Sequence, residues 1–312
     1  MDVQLIRRLR GRAGVLIGTR PGLNLLIGEL SPPGCITIGQ EQMHLQHHVE
    51  ALRRAMPRFY PKLDALAVLT DRDRSEYERL LEGRVELVRI PNTVRQMDGP
   101  QADMDSKTVL AAGRLTAQKG FDLLIAAWAR VAERHPDWRL RICGRGELRT
   151  SLAKQIQSAG LGQVISLEGP SERLGDDMAR ASIFVLSSRF EGFPLVLLEA
   201  MSKGLGVVAF DCPTGPGEVV DNHSNGILVP AADVDALAAG VNALIEDDGL
   251  RRRCGAAAMD TARRYTMEQI GPMWDALLRD LRKAQGARRS SRPPRPAPRP
   301  RGARPPCRSA PT

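Results

Sequence analysis

Two series of short apolar runs, each run followed by an amphipathic segment of helical length, constrain the fold of this chain more than any other feature. The first series has β-branched-rich runs at 14–18, 35–39, 65–70 and 85–90, and the second has six such runs between residues 107 and 230. Parallel strands joined by crossover helices produce this alternation. We therefore predict an α/β protein built from two doubly wound, Rossmann-like units.

The segment between the two series has little hydrophobic periodicity. It reads PNTVRQMDGPQADMDS, and its prolines and glycine are typical of a linker. We predict a partial Rossmann-like unit over residues 1–94, a linker over 95–106 and a second unit over 107–284. The second unit has roughly the six strands of a nucleotide-binding fold, whereas the first has about four and is predicted to be incomplete.

The last segment of the chain, residues 285–312, differs in composition from the rest. Between Ala287 and Thr312 it holds eight arginines, eight of the 22 prolines, no acidic residue and no aliphatic residue larger than alanine. Such a segment cannot bury enough apolar surface to offset its ordering entropy, so we predict disorder. It carries eight of the nine net positive charges, which leaves +1 on the other residues. Weak attraction to anionic lipid or nucleic acid and an inert extension are alternative interpretations.

Charge, aromatic content and cysteine usage disfavour several classes of protein. Basicity confined to the tail and an aromatic content of only 4% argue against a specific nucleic-acid binder, because few stacking platforms are left. The five cysteines form no CxxC pair, which fits a reducing cytosol better than a disulfide framework or a zinc site. No apolar run approaches the roughly 20 residues of a membrane-spanning helix. We predict a cytoplasmic protein, with peripheral contact at the inner face of the membrane left open.

The segment SSRFEGFPLVLLEAMSKG, residues 187–204, combines two carboxylates with the start of a helix. Pro194 suits the first turn of a helix and Gly204 suits the left-handed residue after its end, so we predict a helix over 194–203. This helix follows a strand, and ligands of open parallel sheets bind beyond the carboxyl ends of the strands. The free N–H groups and the positive dipole end of the helix therefore predict a phosphate site.

The two carboxylates of this segment lie on either side of the predicted phosphate site. Glu191 precedes the helix, and Glu199 lies on its second turn. Their spacing lets both side chains reach one pocket, Glu191 from the loop and Glu199 from the helix. In that pocket they can accept hydrogen bonds from vicinal hydroxyls on either side of a diphosphate. A solvated position on an amphipathic helix is the alternative for Glu199.

A second loop after a strand carries two cations. In AAGRLTAQKGFDLLIAAW, Gly113 ends the strand, and Arg114 and Lys119 precede a helix. Arginine binds phosphate oxygens through a bidentate fork and lysine as a point charge, so the pair suits a diphosphate. Ordinary solvated loop charges are the alternative. At corresponding strand ends of one sheet, the two loops together predict a site for a nucleotide-diphosphate sugar.

These two motifs make the sequence similar to the retaining glycosyltransferases of the GT-B fold, in glycosyltransferase family four. The resemblance covers residues 14–283 and is strongest in AGRLTAQKGFDLLIAAW and SSRFEGFPLVLLEAMSKGLGVVAFDCPTGPGEVVDNHSNGILVP. The two acids separated by seven residues are its most specific part, and GRGELR at 144–149 matches a weaker glycine-containing turn. DCPTGPGEVV is similar to members that build cell-surface polymers such as teichoic acids and capsules.

The resemblance implies a role for each motif residue. Arg114 and Lys119 would neutralise the donor diphosphate as the leaving group departs, Glu191 would hold hydroxyls of the donor sugar, and Glu199 would hold the nucleotide ribose. The remaining donor-binding positions are Gly113, Gly192, Phe193 and Leu195, the last three through their backbone N–H groups. The resemblance also implies same-face attack with retention, no covalent intermediate on Glu191, and no cofactor or essential metal ion. The implied acceptor is a glycan, a polyol-phosphate polymer or a lipid-linked molecule.

The amino-terminal unit departs from the family pattern at two places. Full-length relatives begin with a strand and a glycine-rich loop that nothing here provides, so we expect the acceptor half to be incomplete. The loop IGQEQMHLQHH at 38–48 is similar to the acceptor-side loop, where relatives often carry a histidine soon after the glutamate, whereas here Gln42 follows Glu41. For His44 and His48, spaced i, i+4, we favour a solvated helix face over a metal site.

Two acids in LTDRDRSEY, Asp71 and Asp73, follow a strand and imitate the metal-binding acid pair of the other major glycosyltransferase fold, GT-A. We favour a helix cap by Thr70 or Asp71 instead, because such side chains accept from the first free N–H groups of a helix.

Two alternative functions stay open at this level. The first is a nucleotide-sugar-binding protein without transferase activity, which the incomplete amino-terminal unit motivates. The second is a GT-B nucleotide-sugar epimerase, which acts without an acceptor.

Overall fold

The computed structural model describes residues 13–30 and 34–290, which form two parallel sheets flanked by helices. The first sheet has four strands in the order β1-β2-β3-β4. Its elements are β1 (Gly14–Gly18), α1 (Pro21–Leu30), β2 (Cys35–Gln40), α2 (Glu50–Phe59), β3 (Ala65–Val68), α3 (Asp71–Leu81) and β4 (Glu86–Arg89). All its pairings are parallel, as the alternating pattern predicts.

The second sheet has six parallel strands in the order β10-β9-β8-β5-β6-β7. Its strands are β5 (Thr108–Ala112), β6 (Arg139–Cys143), β7 (Ile165–Leu167), β8 (Ile183–Leu186), β9 (Gly206–Asp211) and β10 (Ile227–Pro230). The helices are α4 (Phe121–Arg134), α5 (Arg149–Ser158), α6 (Leu174–Ala179), α7 (Leu195–Ser202), α8 (Pro216–Val219), α9 (Val234–Glu246), α10 (Asp248–Arg263) and α11 (Met267–Ser290). The predicted α/β class is confirmed.

The chain reverses its direction across the second sheet between β5 and β8. These neighbouring strands pair through Val109 with Ile183 and Leu110 with Phe184. From β5 the chain proceeds outward to β6 and β7, and from β8 it proceeds the other way to β9 and β10. Such a switch point leaves a crevice at the carboxyl ends of the two strands. The loops that follow β5 and β8 therefore lie side by side.

One apolar core joins the two units. Ile36 and Ile38 of β2 share a buried cluster with Leu277 and Leu281 of α11, so the last helix packs back on the first sheet. Among the described helices, none has both the length and the apolarity that crossing a bilayer requires.

The segment between β2 and α2 does not form the helix on whose solvated face His44 and His48 were predicted to lie. It forms a single 3₁₀ turn over Leu45–His47, and α2 begins only at Glu50. The turn points His44 and His48 into the protein interior, where both rings are buried.

Two other helix boundaries differ from the predicted ones. Helix α7 begins at Leu195, with Pro194 as the residue before it, rather than at 194. Helix α11 continues to Ser290, so residues 285–290 are helical and not part of a disordered tail. Residues 285–290 contain no proline, so their sequence is compatible with a helix. The predicted disorder of residues 291–312 lies outside the described residues.

Candidate active site

The loops after β5 and β8 meet through the ion pair of Lys119 and Glu191. The Lys119 ammonium nitrogen lies 2.7 Å from Oε1 of Glu191, and the two side chains are 14% and 7% exposed. The stem of Lys119 runs over Gly113, where an added Cβ would lie 3.2 Å from the lysine Cδ. The structure thus brings together three of the predicted site residues at the switch point of the second sheet.

The position of Glu191 is defined by bonds from both its side chain and its backbone. Ser188 Oγ donates to Glu191 Oε1 at 2.6 Å, so this oxygen has two donors while Oε2 has no partner among the described residues. The Glu191 N–H donates to the Pro213 carbonyl at 3.0 Å, and Thr214 Oγ1 donates to the Glu191 carbonyl at 2.9 Å. The carboxylate is therefore held in place with one oxygen left over.

The side chain of Gln118 links the two loops a second time. Its Nε2 donates to the Phe190 carbonyl at 3.0 Å, and its Oε1 accepts from the Arg114 guanidinium at 3.0 Å. Arg114 is otherwise exposed at the rim of the site. Neither Gln118 nor Ser188 was predicted from the sequence, because glutamine and serine are not distinctive before their partners are known.

Gly120 allows the two loops to approach closely. Its φ of +62° lies in the left-handed region, and an added Cβ would lie 2.1 Å from the Ser187 carbonyl oxygen. A side chain would therefore strain the backbone and separate the loops. A glycine directly after Lys119 is a sequence signal for such a close approach of two backbones.

The start of α7 leaves backbone donors uncommitted. The N–H groups of Gly192 and Phe193 have no hydrogen-bond partner in the part of the chain that the structure describes. Leu195 differs, because its N–H already donates to the Phe193 carbonyl at 2.9 Å. The Phe193 ring is 7% exposed and packs against Tyr265 with 5.6 Å between ring centroids. Two of the three predicted N–H groups thus remain available for an anion.

Glu199 lies on α7 one turn beyond these donors. Its half-buried carboxylate has no hydrogen bond or ion pair with the described residues. Burial raises the pKa of Glu199 above its ordinary value, and the charge of Arg95 offsets part of this effect. A partly desolvated carboxylate without a partner is costly unless a ligand supplies a donor.

The prediction that His44 and His48 lie on a solvated helix face is wrong. The His44 and His48 side chains are both only 3% exposed. Nδ1 of His44 lies 3.1 Å from Oδ1 of Asp73, and Nε2 of His48 lies 3.2 Å from the Tyr77 hydroxyl. Their partners lie 29 residues further along the chain, which local spacing cannot reveal. Both rings are structural members of a buried polar network.

The same loop contacts the donor side of the site. The His47 ring stacks on Phe190 with 3.9 Å between centroids, and burial lowers the pKa of His47. An added Cβ on Gly192 would lie 2.1 Å from the Gln42 carbonyl oxygen. The acceptor-side loop therefore rests directly on the residues that flank Glu191.

The two aspartates after β3 make a helix-cap contact and a surface ion pair. Thr70 caps α3 by accepting from the Asp73 N–H at 3.0 Å, and its hydroxyl donates to Asp73 Oδ2 at 2.7 Å. Asp71 is exposed and lies 3.3 Å from the Arg89 Nε. No metal-binding group of His, Cys, Asp and Glu occurs within the described ranges.

The family profile described as "Glycosyl transferases group 1" matches residues 94–261, more than half of the chain. The chain belongs to the glycosyl transferases group 1 family. The matched range contains both loops of the site, from Gly113 to Glu199.

Curated relatives of this chain are longer than the region that they share with it. An exopolysaccharide phosphotransferase of Streptomyces coelicolor is 37% identical over 283 residues, which are 90% of this chain and 30% of that protein. A poly(ribitol-phosphate) alpha-N-acetylglucosaminyltransferase of Staphylococcus aureus is 27% identical, covering 68% of this chain and 43% of that protein. The chain therefore spans less than half the length of these two relatives.

A solved structure of similar fold is that of TarM from S. aureus, in complex with fondaparinux, alpha-GlcNAc-glycerol and UDP. It superimposes with a TM-score of 0.79 at 23% identity, over 88% of this chain and 58% of that one. The prediction of a GT-B-like fold is confirmed.

Proposed function

We propose that this chain transfers a sugar from a nucleotide-diphosphate sugar to a hydroxyl group of a polysaccharide or other polymer, with retention of anomeric configuration as in glycosyltransferase family four. The observation that carries the proposal is the Lys119–Glu191 ion pair, which lies at the switch point of the sheet beside the uncommitted N–H groups of Gly192 and Phe193. A cation, free N–H donors and a positioned carboxylate suit a diphosphate joined to a sugar.

The cations would act on the leaving group. When the bond between the anomeric carbon and the diphosphate breaks, negative charge grows on the phosphate oxygens. Lys119, Arg114 and the N–H groups at the start of α7 are already oriented and would stabilise that charge as it develops. The site needs no essential divalent ion in this proposal, because protein groups supply the positive potential.

The two glutamates would hold the sugar and the ribose. Glu191 Oε1 is committed to Lys119 and Ser188, which leaves Oε2 to accept from hydroxyls of the donor sugar. The carboxylate of Glu199, half-buried and without a partner among the described residues, would accept from the nucleotide ribose. Glu191 is not proposed as a covalent nucleophile, because direct attack by the acceptor on the face that the diphosphate leaves needs no covalent intermediate.

Retention would follow from attack on the face that the diphosphate leaves. The acceptor oxygen forms a bond to the anomeric carbon as the bond to the diphosphate oxygen breaks. The proton of the acceptor hydroxyl passes to the departing phosphate, so no protein base is required. In this proposal the acceptor enters beside the acceptor-side loop, which approaches Gly192 through the Gln42 carbonyl oxygen.

The names of the relatives support a cell-envelope polymer as acceptor and a UDP-sugar as donor. One acts on an exopolysaccharide and another on poly(ribitol-phosphate) by name, while the TarM complex holds UDP and a glycosylated glycerol. A location at the inner face of the membrane, in peripheral contact with lipid-linked intermediates, fits such an acceptor.

A product assay tests this function. The protein is incubated with a panel of UDP-sugars and polysaccharide, polyol-phosphate and lipid-linked acceptors, and anomeric configuration is determined by NMR. We expect a glycosylated acceptor with the donor's configuration, loss of turnover in Lys119→Ala and Arg114→Ala, and normal turnover in the exposed control Lys154→Ala. Donor binding without product would instead identify a nucleotide-sugar-binding protein, and an altered sugar without acceptor an epimerase.

A further inference from the structure

A carboxylate of the second unit caps a helix of the first unit. Glu218, on α8, accepts at Oε1 from the backbone N–H groups of Asp71 at 3.0 Å and of Arg72 at 3.3 Å, the first two residues of α3. The early N–H groups of a helix have no partner within the helix, and a negative charge beside them is favourable. Thr70 supplies the local cap of α3, and Glu218, 147 residues beyond Asp71 in the chain, supplies the second.

The other oxygen of this carboxylate faces the end of β4. Oε2 of Glu218 lies 3.5 Å from Nη2 of Arg89, the last residue of β4. The side chain of Glu218 is only 17% exposed, and both of its oxygens bind groups of the amino-terminal unit. Hydrogen bonds of an ionised acceptor to several donors fix its geometry. Glu218 therefore joins the two units at a defined position.

The segment that leads to Glu218 holds the backbone of Glu191. The Glu191 N–H donates to the Pro213 carbonyl at 3.0 Å, and Thr214 Oγ1 donates to the Glu191 carbonyl at 2.9 Å. Thr214 is 2% exposed, so this second bond is shielded from water. One end of the segment is thus bonded to the sugar-binding glutamate of the proposed site, and the other end is bonded to α3.

Two further contacts make the segment compact. The Glu218 N–H donates to the Gly215 carbonyl at 2.9 Å, and an added Cβ on Gly215 would lie 2.7 Å from Cδ of Pro194. The Tyr265 hydroxyl donates to the Glu218 carbonyl at 3.4 Å, and the Tyr265 ring packs against Phe193. The segment between the two bonded ends therefore packs against the start of α7 and is not a free loop.

We infer that Glu218 is a positioning residue, which holds the carboxylate of Glu191 in a fixed relation to the amino-terminal unit. The inference rests on the proposed function, in which Glu191 contacts the donor sugar and the acceptor enters beside the acceptor-side loop. Transfer requires the two substrates to be aligned, and a misplacement of about 1 Å is costly for a reaction between oriented groups. Glu218 acts through Thr214 and Glu191, without contact to either substrate.

Steady-state kinetics of the full-length protein test the inference, with a UDP-sugar and an acceptor that give product with wild type. Glu218→Ala removes the contacts to α3 and Arg89. It should lower kcat about tenfold, while the donor KM and the affinity for UDP stay within about twofold of wild type. Glu218→Gln keeps an oxygen for the N–H groups of α3 and should retain at least about half of the wild-type kcat. The control Glu133→Ala removes an exposed carboxylate on α4 and should leave kcat unchanged.

A double-mutant cycle separates positioning from a general structural role. Thr214→Val removes the hydroxyl that donates to Glu191, so adding Glu218→Ala to this variant should lower kcat by less than about twofold. A further tenfold loss would show that Glu218 does not act through Thr214, and it would overturn the inference.

Amide hydrogen exchange tests the cap itself, independently of turnover. The N–H groups of Asp71 and Arg72 should exchange faster in Glu218→Ala than in wild type, and Glu218→Gln should restore their protection. Unchanged exchange in Glu218→Ala, or an unchanged kcat, would overturn the inference while leaving the proposed function intact. No transfer by wild type would refute the proposed function and the inference with it.

Discussion

Lys119 donates to Glu191 across the boundary between the two loops of the site, with 2.7 Å between the ammonium nitrogen and Oε1. The pair fixes the cation and the carboxylate in relation to each other before a ligand arrives. A bound diphosphate would have Lys119 as a shared donor, and the sugar attached to it would lie within reach of the second oxygen of Glu191. The arrangement is preorganised for a ligand that carries both groups.

Ser188→Ala should lower the transfer rate about tenfold, since a hydrogen bond to a charged group contributes about 1.5 kcal/mol. The hydroxyl donates to Glu191 Oε1 at 2.6 Å and is 1% exposed, so the loss frees the carboxylate to rotate. Affinity for UDP should stay unchanged, because Ser188 acts through the sugar-binding carboxylate. Steady-state kinetics and calorimetry measure the two effects, with the exposed Ser151→Ala as control. A parallel loss of UDP affinity would mean that Ser188 supports the loop and not Glu191.

Gly120→Ala should reduce the free energy of unfolding by about 3 kcal/mol. Alanine is strained in the left-handed backbone conformation of this position, and its Cβ would clash with the Ser187 carbonyl oxygen. Gly160 offers a matched control, because its φ of +69° is similar but an added Cβ would meet nothing within 4 Å. Gly160→Ala should therefore cost only about 1 kcal/mol, the cost of the left-handed backbone alone. Urea denaturation measures the free energy of unfolding of the two variants. Equal decreases would show that the close contact of Gly120 with Ser187 adds nothing to the cost of the substitution.

Glu199→Gln should stabilise the protein while weakening nucleotide binding about tenfold, because a hydrogen bond to a charged acceptor is lost. The pKa of Glu199 is raised in the folded state, so the folded state holds the proton more firmly than the unfolded chain. The ionised carboxylate thus costs stability above the folded pKa, and this cost disappears as the pH falls through the ordinary value of 4.5.

The variant should accordingly melt at a higher temperature than wild type at pH 7, with the difference fading in acid. Differential scanning calorimetry across this pH range and UDP titration check both parts. A destabilised variant at pH 7 would indicate that Glu199 is already satisfied within the protein.

The sequence predicts the elements of the site because the relevant signals are local. Strand runs, Gly204 after α7 and the loops after β5 and β8 follow from periodicity and from residues with restricted backbone geometry, and Gly204 indeed has a φ of +79°. That both loops reach one edge follows from the rule for parallel sheets.

The sequence does not predict hydrogen-bond partners that lie far apart along the chain. His44 and His48 are buried because Asp73 and Tyr77, on α3, supply hydrogen bonds that offset the desolvation of two imidazoles. For the same reason, the direct pairing of Lys119 with Glu191, 72 residues apart, could not be read from either motif alone.

Titration calorimetry with UDP measures whether Lys119 binds the diphosphate of a nucleotide, as proposed above. Lys119→Met keeps the apolar stem over Gly113 and removes the charge, and Lys154→Met makes the same change at an exposed position on α5. We predict that Lys119→Met binds UDP at least about tenfold more weakly than wild type, through loss of a charge-assisted contact, while Lys154→Met binds it equally well. Equal UDP affinity in wild type and Lys119→Met would show that Lys119 does not bind the diphosphate.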